Sequence, residues 1–150
     1  MRLFEIQAEP YPYEITDRSN NRVITIIATF KTRDNSMVKV VISGAKGEDV
    51  EIAFTRNGRV KVSGTGDQFR ILMTVKEIIE KCLSQVAKDA TEILFTADAD
   101  EPSRVKLYTK RVVPLVSNIL GSDWSGPEIH PSDEVVYVWK RKEEQNSETI

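Results

Sequence analysis

The sequence predicts an α+β domain in which a mostly antiparallel, twisted sheet packs against two main helices. In the first half of the chain, apolar and polar side chains alternate with the period of two that is typical of strands. In the second half, two long stretches repeat apolar residues every three or four positions, as one face of a helix does. An Asn-Gly pair between two alternating runs adds the signal of a tight antiparallel hairpin.

Alternating runs fill most of the first half of the chain. They are RVITIIATF (22–30), MVKVVISG (37–44) and EIAFTRNGRVKVSG (51–64). The last run is divided by Asn57 and Gly58, which suit a type I′ turn because that turn requires positive φ at both central residues. In this register Arg56 would face Arg59 across the hairpin.

Two helices and two further strands are predicted in the second half. Apolar positions from Phe69 to Val86 form a broad stripe, which predicts a helix pressed onto the sheet. The second helix is expected to start at Glu101-Pro102 and to end before Gly121, with a kink or a break at Pro114. Between the helices, TEILFTA (91–97) predicts a strand buried on both faces; after them, SDWSGPEIHPSD (122–133) predicts a loop and VVYVWKRK (135–142) the last strand.

Length and charge narrow the class of protein. The 150 residues fit a single domain, expected over residues 1–142, with residues 143–150 as a polar, flexible tail. The 21 Lys and Arg against 23 Asp and Glu give a net charge of −2, so a nucleic-acid partner is not expected. The single cysteine, Cys82, requires no oxidising compartment, and no run approaches the ~20 apolar residues of a membrane span. We therefore expect a cytoplasmic protein without membrane attachment.

The stretch KVSGTGDQF (61–69) joins the last alternating run to the first helix and contains a Gly-x-Gly turn. Together with the strand–helix–strand–helix order around it and the later EPSRVKLY (101–108), it resembles the core of the GNAT superfamily of N-acetyltransferases. In that family the signature Arg/Gln-x-x-Gly-x-Gly/Ala binds the pyrophosphate of acetyl-coenzyme A. The resemblance implies that Lys61, Gly64 and Gly66 bind this cofactor, and that Tyr108 protonates the leaving thiolate as a general acid.

Several residues depart from the GNAT pattern. Glu101 and Arg104 stand where the family has Asn and Ala, and residues 2–22 lack the helical period of the family's first two helices. Those helices shape the acceptor side of the site, so a GNAT-like core without them lacks the part that would bind a substrate amine. The stretches SGTGDQFRILMTVKEII (63–79) and SRVKLY (103–108) are also similar to small uncharacterised proteins of tailed bacteriophages, which implies a viral source but no activity.

Asp67 bears on whether the glycine turn binds a phosphate. The N-terminus of a helix attracts anions, but Asp67 is placed to cap this helix with its own carboxylate, a bond worth about 1 kcal/mol. That carboxylate repels a pyrophosphate, and Arg59, Lys61 and Arg70 are placed to offset the repulsion. Two interpretations follow: a tight turn capped by Asp67, or a coenzyme A site.

Other residues that could bind a metal ion or react chemically also have simpler structural interpretations. The acids Asp98, Asp100 and Glu101 suit a divalent cation, or the first turn of the second helix. The only histidine, His130, has no second histidine with which to form a zinc site and is expected to be exposed, whereas Cys82 lies on an apolar stripe and is expected in the core.

The aromatic residues also allow two interpretations each. Tyr108 lies on the apolar stripe of its helix, so a buried phenol is the alternative to a general acid. Trp124, Tyr137 and Trp139 around the last strand form either an exposed contact patch or part of the core.

Two functional hypotheses follow. In the first, the protein is a non-catalytic accessory or interaction protein with a GNAT-like fold, which needs no cofactor and binds an unknown protein partner or itself; if virus-encoded, it acts in the host cytoplasm. In the second, it is an N-acyltransferase that uses acetyl-coenzyme A on an unknown amine.

Overall fold

Seven strands and two long helices make up the described chain. The computed structural model describes residues 9–33, 35–57, 65–98, 102–130 and 134–142. In chain order the elements are β1 (Glu14–Asp17), β2 (Val23–Lys31), β3 (Met37–Ala45), β4 (Asp49–Asn57), α1 (Thr65–Val86), β5 (Glu92–Asp98), α2 (Pro102–Leu120), β6 (Trp124–His130) and β7 (Glu134–Arg141). A short 3₁₀ turn, Gly121–Asp123, joins α2 to β6.

The strands form one sheet in the order β1-β2-β3-β4-β5-β7-β6. All neighbouring pairs are antiparallel except β4 and β5, which are parallel. Parallel neighbours need a long crossover, and α1 supplies it. The predicted fold class, a mostly antiparallel sheet with two main helices, is confirmed. Residues 18–22 alone separate β1 from β2, so no helix lies between these two strands.

One face of the sheet carries the core. Alternate residues of each strand point to this face, and the apolar stripes of α1 and α2 pack against it in a single cluster. The largest fully buried side chains are Val38, Val40, Ile42, Val50, Ile52, Ile78, Ile79, Leu83, Ile93, Phe95, Tyr137 and Trp139. The period-two and three-four patterns of the sequence therefore identify the residues that are buried together.

The opposite face of the sheet, the open face, has no counterpart of this helical layer among the described residues. Leu94 and Thr96 of β5 lie on it and are partly exposed. The prediction that this strand is buried on both faces is therefore wrong. The reason is that α1 and α2 pack side by side on the same face, a choice that the strand's own sequence does not encode.

Residues 124–130 were expected in a loop but form the edge strand β6. β6 pairs with β7, with an irregularity between Ser125 and Glu128. Gly126 and Pro127 interrupt the alternation that would have marked a strand, since proline cannot donate a ladder hydrogen bond. This segment is a strand because it pairs with β7, and its own sequence pattern does not indicate one.

The helix boundaries are only partly as predicted. α1 ends at Val86 as expected but starts at Thr65, four residues before Phe69. Glycine is tolerated in a first turn, where the backbone N–H groups lack intrahelical partners in any case. β4 ends at Asn57, and residues 58–64, which would complete the predicted Asn-Gly hairpin, lie outside the described residues.

α2 starts at Pro102 and ends before Gly121, as predicted. Gly121 adopts a φ of 82°, the left-handed conformation common just after a helix. The helix runs through Pro114, so a break at that residue is ruled out. Proline removes one backbone hydrogen bond, but the buried side chains Val112 and Val116 continue the apolar stripe on either side of it.

The segment Glu9–Tyr13 forms a strap along α1. The backbone N–H of Tyr11 donates to Thr74 Oγ1 at 2.8 Å, and the ring of Tyr11 stacks on Phe30 with centroids 5.8 Å apart. One turn farther along α1, the Tyr13 hydroxyl donates to a carboxylate oxygen of Glu77 at 2.7 Å. Burial raises the pKa of Tyr13, so the phenol stays protonated and keeps this bond at neutral pH.

Replacing Thr74 with Val tests the strap. Thr74 is fully buried, and its hydroxyl accepts from Tyr11 while donating to the Arg70 carbonyl at 2.8 Å. Valine keeps the shape but leaves the Tyr11 N–H unpaired, so we expect urea denaturation to show a loss of about 1–3 kcal/mol in the free energy of unfolding. The control Thr29→Val, on the open face, should change it by less than about 0.5 kcal/mol. Equal effects of the two substitutions would contradict this role of Thr74.

Candidate functional site

The N-terminal end of α1 is where the sequence placed a cofactor. Gly66 is the second residue of α1, and Tyr108 lies in the second turn of α2, which packs against α1. Lys61 and Gly64 lie outside the described residues. Asp67 follows Gly66 within the first turn of α1 rather than ahead of the helix. The fold thus brings the two helices of the predicted cofactor site together, with Gly66 at the start of one of them.

Arg70 was expected to offset the charge of Asp67 at this site. Its guanidinium instead lies 4.1 Å from the ring centroid of Tyr11, and its Nε donates to the Glu9 carbonyl at 2.7 Å. A cation above an aromatic face is attracted by the ring quadrupole, whose face is partially negative. The guanidinium of Arg70 therefore contacts the strap.

Cys82 and His130 are placed as predicted. Cys82 is buried in the core, and burial raises the pKa of its thiol, so the reactive thiolate is disfavoured. His130 is exposed, with Nε2 3.5 Å from a carboxylate oxygen of Glu128. Within the described chain, no group of three His, Cys, Asp or Glu side chains is arranged to bind a metal ion. Asp98 ends β5, while Asp100 and Glu101 lie outside the described residues.

Of the two interpretations of the aromatic residues around the last strand, burial in the core is the correct one. Trp124, Tyr137 and Trp139 are only 8%, 1% and 1% exposed. Tyr137 and Trp139 point to the helix-covered face of β7, where the Trp139 indole N–H donates to Ser117 Oγ at 3.0 Å. The sequence could not distinguish the two faces of β7, because both carry large apolar residues.

A cavity of about 320 Å³ lies at the other end of α1, between its C-terminus and the turn that joins β1 to β2. We call it the amphoteric pocket because side chains of both charges line it. Its lining residues are Asp17, Ser19, Ile24, Ile26, Lys46, Gln85, Val86, Lys88 and Asp89. They come from the β1–β2 turn, strand β2, the β3–β4 turn and the end of α1.

The charged groups of the amphoteric pocket are not paired with one another. Among the described residues, neither Lys46 nor Lys88 has a carboxylate within 4.0 Å of its ammonium group. Asp17 accepts a hydrogen bond from the Ser19 N–H at 2.9 Å. The Ser19 side chain and backbone hold the pKa of Asp17 below its usual range, with a smaller contribution from the charge of Lys46. Asp17 is therefore ionised at neutral pH.

Hydrogen bonds connect the turns around the pocket. Ser19 Oγ accepts from the Thr25 N–H at 2.9 Å, and the Lys46 N–H donates to the Arg22 carbonyl at 2.9 Å. The Thr91 N–H, beyond the end of α1, donates to the Glu48 carbonyl at 3.0 Å. The walls of the pocket are thus held in place before anything binds.

Arg141 of β7 holds the turn that follows α1. Its guanidinium donates to the carbonyls of Ala87, Lys88 and Ala90 at 2.6, 3.1 and 3.0 Å, and lies 4.6 Å from the ring centroid of Trp124. These bonds satisfy backbone carbonyls of the turn that follows the last helical residue, Val86. Lys88 and Asp89 therefore extend from a turn of defined position.

The sequence does not indicate the amphoteric pocket. Asp17 ends β1, and Lys46 and Lys88 lie in two separate turns. Each of these segments is, on its own, typical of an ordinary polar reversal of the chain. Only the tertiary structure places them around one cavity, and no motif in the sequence could have signalled it.

The open face of the sheet is a second candidate site. Ile27, Val41, Ala53, Thr96 and Val136 lie opposite one another on successive strands and form a row across the sheet. All five are partly exposed. Five neighbouring strands are about 19 Å wide, given a spacing of about 4.8 Å. The apolar members of the row, which Thr96 interrupts, therefore form a stripe that water reaches.

No protein-family model, no curated protein and no solved structure matches this chain. Among the described residues, no helix is both long and apolar enough to cross a bilayer.

Replacing Arg141 with Ala tests the turn after α1. Three charge-assisted hydrogen bonds are lost, so we expect the free energy of unfolding to fall by about 2 kcal/mol in urea denaturation. Lys cannot reproduce the planar guanidinium, so Arg141→Lys should recover less than half of the loss. The neighbouring exposed Lys140→Ala is the control and should change stability by less than about 0.5 kcal/mol. An Arg141→Ala variant as stable as Lys140→Ala would show that the turn does not need this side chain.

Proposed function

We propose that the protein is a non-catalytic accessory or interaction protein with a GNAT-like fold, and that it binds a protein partner or a second copy of itself through the open face. The observation that carries the proposal is the row of apolar side chains that water reaches on this face, while both described helices cover the other. The proposal of a viral source rests on the resemblance to bacteriophage proteins alone.

The open face suits a protein contact for a physical reason. Apolar surface in water is costly, at about 25 cal/mol per Å², and an opposing surface that covers Ile27, Val41 and Val136 would remove that cost. Polar groups lie beside the apolar members of the row: Thr96, within the row, donates to a carboxylate oxygen of Glu51 at 2.8 Å, and Lys39 is exposed. An apolar centre with a polar rim is the usual anatomy of a protein interface.

Two observations support a non-catalytic role over acyl transfer. By the GNAT resemblance, the short turn of residues 18–22 corresponds to the connection in which that family has the helices of its acceptor side. Arg70, one of the cations placed to balance a bound pyrophosphate, binds Glu9 and Tyr11 instead.

N-acyl transfer from acetyl-coenzyme A is the alternative function, and one observation favours it. α1 follows β4, crosses to the parallel strand β5, and carries Gly66 in its first turn. This is the position at which the GNAT resemblance places the pyrophosphate, with its backbone N–H groups free of intrahelical partners. In this alternative Lys61, Gly64 and Gly66 bind the cofactor and Tyr108 is the general acid.

Thermal unfolding with acetyl-coenzyme A decides between the two functions. A ligand at ~100 times its dissociation constant stabilises the folded state by ~2.7 kcal/mol. We expect no change in the unfolding midpoint at about 1 mM acetyl-coenzyme A, because a non-catalytic protein has no site for it. This concentration is at the upper end of the ~1 μM–1 mM range of typical KM values, so an enzyme that uses the cofactor would bind it. A clear rise of the unfolding midpoint that is abolished by Gly66→Asp, in a variant that is still folded, would establish the cofactor site and contradict the non-catalytic proposal.

The variant Val41→Glu tests the open face as the contact surface. A charge at the centre of the row should abolish binding, because the carboxylate would be buried without a partner. Partner capture from the native host, with sedimentation to detect self-association, should give the same complex for the wild type and for Glu80→Lys, a charge change on the exposed surface of α1. The complex should be missing for Val41→Glu. If all three proteins behave alike, the open face is not the contact surface.

A further inference from the structure

We propose that the amphoteric pocket binds a small zwitterion, namely a free amino acid with an apolar side chain. The cavity of about 320 Å³ lies at the lower end of the ~300–1,000 Å³ range of small-molecule sites. A ligand that fits it must be small. The three kinds of group that line it determine which kind of small molecule it suits.

The two lysines suit the carboxylate of such a ligand. Lys46 and Lys88 line the same cavity from two different turns, and neither forms an ion pair with a described residue. A ligand carboxylate between them would accept charge-assisted hydrogen bonds, which are stronger than neutral ones.

The ammonium group of the ligand has its own partners. Asp17 and Asp89 contribute carboxylates to the lining, and the hydrogen bond that Asp17 accepts from Ser19 further favours its charged form. The cavity also meets the last turn of α1, at Val86, where the helix dipole favours a positive charge. A ligand with a carboxylate alone would add a net negative charge to a lining in which two lysines and two aspartates balance one another.

An apolar side chain matches the remaining part of the lining. Ile24 and Val86 are each only 7% exposed, and Ile26 is partly buried beside them. These three side chains give the cavity an apolar surface between its charged groups. A ligand hydrocarbon chain would cover this surface and gain the stabilisation of burial.

The pocket is preformed, which favours binding of a small ligand. The hydrogen bonds of Ser19, Lys46, Thr91 and Arg141 fix the surrounding turns without a ligand. Binding therefore does not have to order the backbone, and less of the interaction free energy is lost. This inference stands independently of the open face and of the proposed function.

Isothermal titration calorimetry on the full chain tests the proposal with L-leucine, L-valine and L-phenylalanine. We expect saturable binding of at least one of them. For that amino acid, the analogues that lack either the carboxylate or the ammonium group should bind about tenfold more weakly, since each loses one set of charge-assisted bonds. For L-leucine these analogues are 3-methylbutylamine and 4-methylpentanoate.

Variants locate the binding site. Lys88→Gln and Asp89→Asn should each weaken binding about tenfold, whereas Lys31→Gln, at the end of β2 away from the pocket, should leave it unchanged. All three side chains are exposed, so circular dichroism melts should show unchanged folding; Lys46→Gln replaces any variant that does not fold. The proposal is overturned if none of the three amino acids binds up to about 10 mM. It is also overturned if a singly charged analogue binds as tightly as its amino acid, or if the pocket variants bind like the wild type.

Discussion

The burial of α1 against one face of the sheet is the contact on which the rest of the structure depends. β4 and β5 are the only parallel neighbours among the described strands, and α1 is the crossover that joins them. Its fully buried residues Ile78, Ile79 and Leu83 each contribute about 1.5–3 kcal/mol by leaving water. Once α1 lies on this face, α2 packs beside it, and one side of the sheet becomes the core, while no described helix covers the other side.

Both candidate sites follow from this arrangement. The amphoteric pocket exists because α1 ends at Val86, so that its last turn and the turns beside it enclose a cavity over Ile24 and Ile26. The open face exists because α1 and α2 both pack against the opposite face of the sheet. The predicted cofactor site lies at the start of α1. This single helix therefore connects three regions with different chemistry: a first turn whose N–H groups lack intrahelical partners, a buried centre, and a charged end.

The strap and Arg141 show how α1 is held at its middle and beyond its end. Near the middle of the helix, Tyr11 and Tyr13 bind Thr74 and Glu77, and Arg70 covers the Tyr11 ring. At its end, Arg141 reaches from β7 to the carbonyls of the following turn. The two residues of each pair are far apart in the sequence. Nothing in the sequence around either residue indicates its partner, and only the fold brings the two together. The alternation of Ile24, Ala28 and Phe30, by contrast, identified a buried face correctly from the sequence.

The sequence by itself determined which residues are apolar and at what period, and hence the sheet, the two helices, the end of α2 before Gly121 and the burial of Cys82. These are local properties, since a period of two or of 3.6 places side chains on one face whatever lies opposite. The tertiary structure alone decided which face of β5 and β7 is covered, that residues 124–130 pair as an edge strand, and that Asp17, Lys46 and Lys88 meet around one cavity. The physical reason is that burial, strand pairing and charge proximity depend on partners far apart in the chain, which local pattern does not specify.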